Sequence, residues 1–284
     1  MLPPLETLRE IVRLAAYEEL MPLFDARHSW RAPSQNGADV IRQTKHDGSM
    51  VTEVDVAMQH RLKADLARHW PEYDFLGEEM PGHEHEQLTT ATGKGLWCVD
   101  PLDGTSNYAT GIPYFAVSLA LIVDHRQELG LVYDPVRDEC FTARRGAGAW
   151  INGIALAARE PPPPETLRRC IAAVDFKRLQ APLAAQLGAH PPYGSQRNFG
   201  ASSLEWCWLA CGRFQLYLHG GQKLWDYAGG SLILAEAGGQ AATLEGEEVF
   251  NYGLAPRSIV AAVTPALFSR WRAWIEENGM VSRV

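Results

Sequence analysis

Apolar residues recur at helical spacing over residues 5–27. Leu5, Leu8, Ile11, Val12, Ala15, Ala16 and Leu20 alternate with Glu6, Arg9, Glu10, Arg13 and Glu18. This pattern predicts an amphipathic helix that Pro22 bends or ends. A polar stretch with a glycine, residues 34–38, predicts a loop. A second helix is predicted from about residue 53 to 68, with Val56, Leu62 and Leu66 inward. Thr52 and Asp55 read as a variant capping box at its start, and Pro71 as its stop. Residues 73–76 predict a short strand ending at Gly77-Glu78-Glu79. The following segment, 81–94, is polar. Its His83-Glu84-His85-Glu86 run looks metal-like but carries no helix or strand signal, so an exposed, mobile loop is expected.

Four apolar runs follow a first one at 96–99: residues 115–123, 130–135, 140–143 and 148–153. Their close spacing predicts an antiparallel sheet, with 96–99 and 73–76 at its edge. A proline run, Pro161 to Pro164, favours extended polyproline structure and is taken as the boundary between subdomains 1–160 and 161–284. Beyond it, predicted strands at 170–174, 197–199, 214–218 and 259–263 alternate with predicted helices at 176–187, 202–211, 226–237 and 265–277. That alternation suggests an α/β layer.

The 284 residues are 46% hydrophobic and 21% charged, a globular composition long enough for a sizeable core. Lys+Arg number 26 against Asp+Glu 34, a net charge of -8. An acidic chain without a basic block argues against nucleic acid as its main ligand. The five cysteines, Cys98, Cys140, Cys170, Cys207 and Cys211, show no CxxC pair and read as thiols. No signal-peptide pattern and no bilayer-spanning apolar run is found, so a soluble cytoplasmic protein with no membrane partner is expected.

Charge and turn chemistry concentrate at Trp97-Cys98-Val99-Asp100-Pro101-Leu102-Asp103-Gly104-Thr105-Ser106-Asn107-Tyr108. A buried strand runs into two aspartates and then a small-residue turn. The aspartates suit hard divalent cations. The Gly104-Thr105-Ser106 turn opens a helix, whose unpaired N–H groups suit a phosphate. Cations beside a phosphate-binding turn make a layout for metal-assisted phosphate chemistry. Taken alone, Asp103-Gly104 is equally a plain turn, Glu78 and Glu79 solvated loop acids, and Asp226 of Trp225-Asp226-Tyr227 a helix N-cap.

Together these elements resemble, in chain order, the signature of the inositol monophosphatase family of magnesium-dependent, lithium-sensitive phosphatases. The resemblance covers nearly the whole chain. It implies an α+β or α/β layered fold, an αβαβα five-layer sandwich of the inositol monophosphatase or fructose-1,6-bisphosphatase type. It implies a phosphomonoesterase with two to three Mg²⁺ ions, with Mn²⁺ as a substitute and Li⁺ as an inhibitor. Carried over by position, Glu78, Asp100 and the Leu102 carbonyl hold a first ion. Asp100, Asp103 and Asp226 hold a second, and Glu78 with water a third. Asp55 and Thr105 orient and deprotonate the attacking water. Gly104, Thr105 and Ser106 receive phosphate. The family commonly dimerises, so a homodimer is expected, with Trp206 and Trp208 in the core or the dimer contact.

Specificity departs from the pattern. Inositol-preferring members have a glutamate seven residues before the Asp of the Trp-Asp motif, and here that residue is His219. It either contacts a second anion or a base, or caps its loop. Lys45 either reaches over the site to phosphate or is a solvated lysine. Its loop looks more like bacterial relatives acting on histidinol phosphate or 3′-phosphoadenosine 5′-phosphate. Arg197 is either a leaving-group contact or an ion-pair partner. The expected substrate is thus a small polar phosphate ester, such as an inositol-1-phosphate-like ester or histidinol phosphate. The alternatives are 3′-phosphoadenosine 5′-phosphate, NADP or fructose 1,6-bisphosphate. A regulatory binding protein on the same scaffold is the competing class.

Overall fold

The computed structural model describes residues 2–28, 42–44, 50–90, 94–156 and 164–278. The predicted N-terminal helix is two helices, α1 (Leu5–Glu19) and α2 (Met21–His28). Pro22 has no N–H to continue the first ladder, but it is tolerated in the first turn of the second. Strands β1 (Arg42–Thr44) and β2 (Met50–Thr52) pair antiparallel and lead into α3 (Glu53–His69).

The first sheet follows. It comprises β3 (Asp74–Gly77), β4 (Leu96–Asp103), β5 (Ala116–Val123), β6 (Arg126–Asp134), β7 (Glu139–Arg144), β8 (Gly148–Ile151) and β9 (Ile154–Ala155), hydrogen-bonded in that order. Only the β3–β4 pair is parallel. Helix α4 (Gly82–Thr90) precedes β4, and the short α5 (Thr105–Thr110) follows it. The second sheet contains β10 (Ile171–Asp175), β11 (Ser195–Arg197), β12 (Leu216–Gln222), β13 (Gln240–Ala242) and β14 (Arg257–Ala262), in the order β11-β10-β12-β14-β13. Between and after these strands lie α6 (Ala181–Ala189), α7 (Ser202–Ala210), α8 (Leu224–Glu236) and α9 (Pro265–Asn278).

Packing gives five layers. Helices α1 and α3 cover one face of the first sheet, α7 and α8 lie between the sheets, and α9 with α6 covers the far face of the second. Strand β5 shows why its sequence is apolar throughout. Val117, Leu119 and Leu121 join the core beneath α1 and α3, whereas Ala116, Ala120 and Ile122 join the core around α7 and α8. Small residues face α8 because its backbone lies against the sheet. A Cβ on Gly229 would fall 2.7 Å from the Leu119 carbonyl oxygen, and one on Gly130 would fall 2.6 Å from the Gly229 oxygen.

Three expectations are corrected. Val56, expected inward, is 39% exposed, because it lies two residues from both Val54 and Met58 and so on the opposite side of α3. The segment carrying His83-Glu84-His85-Glu86, expected as an exposed loop, is helix α4, and His85 is only 8% exposed. Its local sequence has weak helix propensity, and tertiary contacts of His85 override it. The expected single helix over 176–187 is a 3₁₀ turn, Phe176–Arg178, followed by α6. Pro182 forces the break, since it fits only the first turn of α6. Residues 161–163, where the subdomain boundary was expected, and Lys45 lie outside the described residues. Among the described residues, no helix is long and apolar enough to cross a membrane.

Candidate active site

Parallel pairing of β3 and β4 brings their C-terminal ends together. Gly77 is in register with Val99, so the next residues, Glu78 just past the end of β3 and Asp100 still within β4, lie side by side. Pro101 donates no ladder hydrogen bond and sits in a register shift between Asp100 and Asp103. Asp226 arrives from the first turn of α8, where its carboxylate accepts the Lys223 N–H at 2.8 Å. One carboxylate oxygen each from Glu78, Asp100 and Asp226 lies within 4.8 Å of the others.

Burial and neighbouring carboxylates raise the pKa of Asp100, Asp103 and Asp226. Asp100 is 1% exposed. Burial pushes its carboxyl well above the ordinary range, and the charges of Glu78, Asp103 and Asp226 push it further. Burial, then Glu78 and Asp103, raise Asp226 to about 8, against the opposing pull of Lys223. Asp103 rises to about 6 through burial, although two hydrogen bonds from Ser203 oppose the shift. Those bonds run from the Ser203 N–H at 2.5 Å and its hydroxyl at 2.6 Å to one Asp103 oxygen. Such a gathering of carboxylates is costly unless protonated or neutralised by a cation. The donors are carboxylate oxygens without histidine or cysteine, a set suited to Mg²⁺ rather than to a softer metal.

Asp55 sits at the start of α3 and is 1% exposed. One oxygen accepts the Thr52 N–H at 2.8 Å and the Thr52 hydroxyl; the other accepts the Thr105 hydroxyl at 3.0 Å. Burial outweighs these bonds and raises the Asp55 pKa. The Thr105 hydroxyl is also 3.0 Å from the Leu102 carbonyl oxygen. The capping contact and the link to Thr105 therefore coexist in one carboxylate.

Gly104 adopts φ 90°, a left-handed conformation that suits glycine, and the first helical bond of α5 runs from the Tyr108 N–H to its carbonyl. Thr105 is partly buried and Ser106 exposed. The neighbouring turn at 198–202 is held against this start. Asn107 donates from Nδ2 to the Tyr114 and Phe199 carbonyls, both at 2.7 Å. Glu205 accepts the N–H groups of Phe199 at 3.0 Å and Gly200 at 3.4 Å. Glu205 is 4% exposed, and burial raises its pKa to about 7.

The expected specificity residues have other partners. His219 accepts the Gly221 N–H on Nδ1 at 3.1 Å, so the neutral ring carries its proton on Nε2, 3.1 Å from the Asp175 carboxylate. Gly220 beside it cannot carry a side chain, because a Cβ there would lie 1.8 Å from the Arg178 carbonyl oxygen. Arg197 is exposed and donates to the Ser195 hydroxyl and the Gln196 carbonyl, both at 2.7 Å. Trp206 is in the core; Trp208 is partly buried, with the Arg137 and Arg213 guanidinium groups 5.1 Å and 4.7 Å from its ring centre.

Sequence reasoning missed four supporting residues: Ser203, Glu205, His85 and Gln59. Gln59 Oε1 accepts the Glu79 N–H at 2.9 Å. Only the Gly200-Ala201-Ser202-Ser203 turn carried a local signal, since small residues there permit close approach to Gly104.

The model of the inositol monophosphatase family matches residues 5–278. A protein of Haemophilus influenzae named Nus factor SuhB is 35% identical over 207 residues, covering 71% of this chain and 74% of its own length. Inositol monophosphatase 1 of Solanum lycopersicum is 32% identical over 222 residues, covering 72% and 80%. A solved structure of an IMPase/NADP phosphatase complexed with Mg²⁺ and phosphate superposes with a TM-score of 0.73 at 26% identity, covering 85% of this chain and 88% of that one.

Proposed function

Since the chain belongs to the inositol monophosphatase family, whose members are phosphomonoesterases, we propose that it hydrolyses a small polar phosphate ester with Mg²⁺ held by Glu78, Asp100, Asp103, Asp226 and the Leu102 carbonyl. The observation that carries this reading is the convergence of Glu78, Asp100 and Asp226 from three separate elements beside the Asp55–Thr105 pair.

Cations bound there supply charge neutralisation for phosphoryl oxygens and a lowered water pKa. The chain's own groups do the rest. Thr105 holds its hydroxyl proton toward Asp55 or Leu102, leaving oxygen lone pairs free to accept a hydrogen from water. Burial makes Asp55 a stronger base, so a proton reaching Thr105 passes on to its carboxylate. The start of α5 at Gly104, Thr105 and Ser106 offers N–H groups to phosphate oxygens. Mn²⁺ substitutes as another oxygen-preferring ion, and Li⁺ inhibits, as in the family.

The partners of His219 bear on specificity. Both ring nitrogens are engaged, so the position offers no carboxylate to accept hydroxyls of a polyol. Lys177 and Arg178 follow β10, Arg197 ends β11 and Lys223 follows β12, all at the C-terminal ends of three parallel strands. Cationic groups in that place favour an ester carrying a second anion over inositol 1-phosphate. The expected homodimer is part of this reading.

The test is phosphate release from inositol 1-phosphate, histidinol phosphate, fructose 1,6-bisphosphate, NADP and 3′-phosphoadenosine 5′-phosphate with Mg²⁺ or Mn²⁺. Asp100→Asn abolishes release. No hydrolysis of any ester with either ion overturns the reading. The similarity to proteins named Nus factor SuhB favours a second, additional role in regulatory binding. A partner retained by an Asp226→Asn variant supports that role.

A further inference from the structure

We propose that His85 is a positioning residue for the acid cluster: its imidazole holds the Gly77–Glu78 peptide against Trp225 and so fixes Glu78 relative to Asp226. This rests on the reading of the cluster as a cation site.

His85 lies in α4, outside the elements that carry the acids, and its side chain reaches back between two of them. Its Nε2 is 2.8 Å from the Gly77 carbonyl oxygen. A carbonyl only accepts, so Nε2 carries the proton. That oxygen belongs to the peptide whose N–H is on Glu78, and this N–H donates to the Val99 oxygen at 3.0 Å, directly before Asp100. The peptide is thus fixed at both ends, to β4 through its N–H and to α4 through its oxygen. The Met80 N–H gives the oxygen a longer second bond of 3.2 Å. On its other side the His85 ring lies 5.0 Å, centre to centre, from Trp225, the residue before Asp226. One side chain therefore touches the neighbours of Glu78 and of Asp226, two acids that arrive from separate elements.

A ligand set of this kind holds its ion tightly only when the chain around it fixes the spacing of the oxygens. Loss of the His85 bond leaves the Gly77 oxygen with the longer Met80 bond and loosens the spacing between Glu78 and Asp226. The effect falls on cation affinity, not on the reacting groups Asp55 and Thr105, which α3 and α5 hold independently.

The experiment compares His85→Phe, which keeps a ring without the donor, with His85→Gln, which keeps an N–H donor at similar reach. Mg²⁺ binding to the metal-free protein is measured by calorimetry. The Mg²⁺ concentration for half-maximal phosphate release is measured beside KM and kcat at saturating Mg²⁺. His85→Phe is expected to weaken Mg²⁺ binding roughly ten- to a hundred-fold, with KM and saturated kcat unchanged, and His85→Gln to recover most of the loss. If His85→Phe does not fold, His85→Asn replaces it, having the same amide as Gln but too short a reach. Wild-type affinity in the donor-less variant overturns the proposal. So does equal weakening in His85→Gln, or a lower Tm without a change in Mg²⁺ binding. Wild-type protein that binds no Mg²⁺ overturns the reading of the cluster itself, and the role of His85 with it.

Discussion

His219 and Asp175 sit opposite one another on the paired parallel strands β12 and β10, with the histidine Nε2 3.1 Å from a carboxylate oxygen. The hydrogen bond from His219 is the main cause that lowers the Asp175 pKa. A lowered folded-state pKa stabilises the fold above the unfolded value near 4, and that contribution fades as pH falls through the folded value. Asp175→Asn is therefore expected to cost about 1–2 kcal/mol near neutral pH. The cost should shrink below pH about 4. Urea unfolding at both pH values checks this. An undiminished penalty in acid would mean that the charge of the carboxylate is not what stabilises the fold there.

The acid cluster has the opposite sign. Asp103 at about 6 and Asp226 at about 8 both lie above the ordinary carboxylate value. Groups raised in this way stabilise the fold fully below the unfolded pKa, and the contribution is lost as pH rises through the folded one. The Tm of metal-free protein should accordingly fall as pH increases across the range from about 4 to about 8. Saturating Mg²⁺ should restore more stability at the alkaline end than at the acid end, because the ion competes with protons for the same oxygens. Asp100→Asn removes one charge from the cluster, so it should raise the metal-free Tm at alkaline pH while destroying activity. Thermal scans with and without Mg²⁺ test both statements, and a Tm indifferent to pH would refute them.

In the proposed reaction Thr105 and Asp55, joined by a hydrogen bond, act as a unit. Thr105→Val keeps the shape and removes the hydroxyl; Asp55→Asn keeps one acceptor oxygen, enough for Thr52 or Thr105 but not both, and removes the base. Each is expected to lower kcat by roughly 10²- to 10⁴-fold. KM should change little, and the double variant should be no slower than the worse single one. Additive losses in steady-state kinetics would show that the two groups serve separate steps.

Much of this arrangement was legible in the chain because its signals are local. The apolar run ending in Asp100-Pro101-Leu102-Asp103-Gly104 marks a strand end whatever the fold around it, and Thr52 with Asp55 marks a helix start. The double role of Asp55 was legible only through the family resemblance, because capping alone accounts for the residue. The partners of His219 were not legible: Asp175 meets it through parallel pairing across the intervening α6, β11 and α7, which periodicity does not encode. Helix α4 was missed for a related reason. Its polar sequence has no amphipathic stripe, and one histidine seated between Gly77 and Trp225 anchors it.

Ser203 offers the sharpest probe of how the surrounding chain sets the chemistry of the acids. Its N–H and hydroxyl both donate to the same Asp103 oxygen, and both lower a pKa that burial has raised. Ser203→Ala deletes the hydroxyl and leaves the N–H. A hydrogen bond to a charged acceptor contributes roughly 1.5–3 kcal/mol, so the Asp103 pKa should rise by about one unit or more. A higher pKa means stronger competition between protons and Mg²⁺ at that carboxylate. At a fixed sub-saturating Mg²⁺ concentration, the acid limb of the activity profile should move to higher pH by about the same amount. Saturating Mg²⁺ should move it back, and Ser203→Thr, which keeps the hydroxyl, should behave as wild type. An acid limb that stays in place in Ser203→Ala would mean that Asp103 does not share its proton equilibrium with the cation.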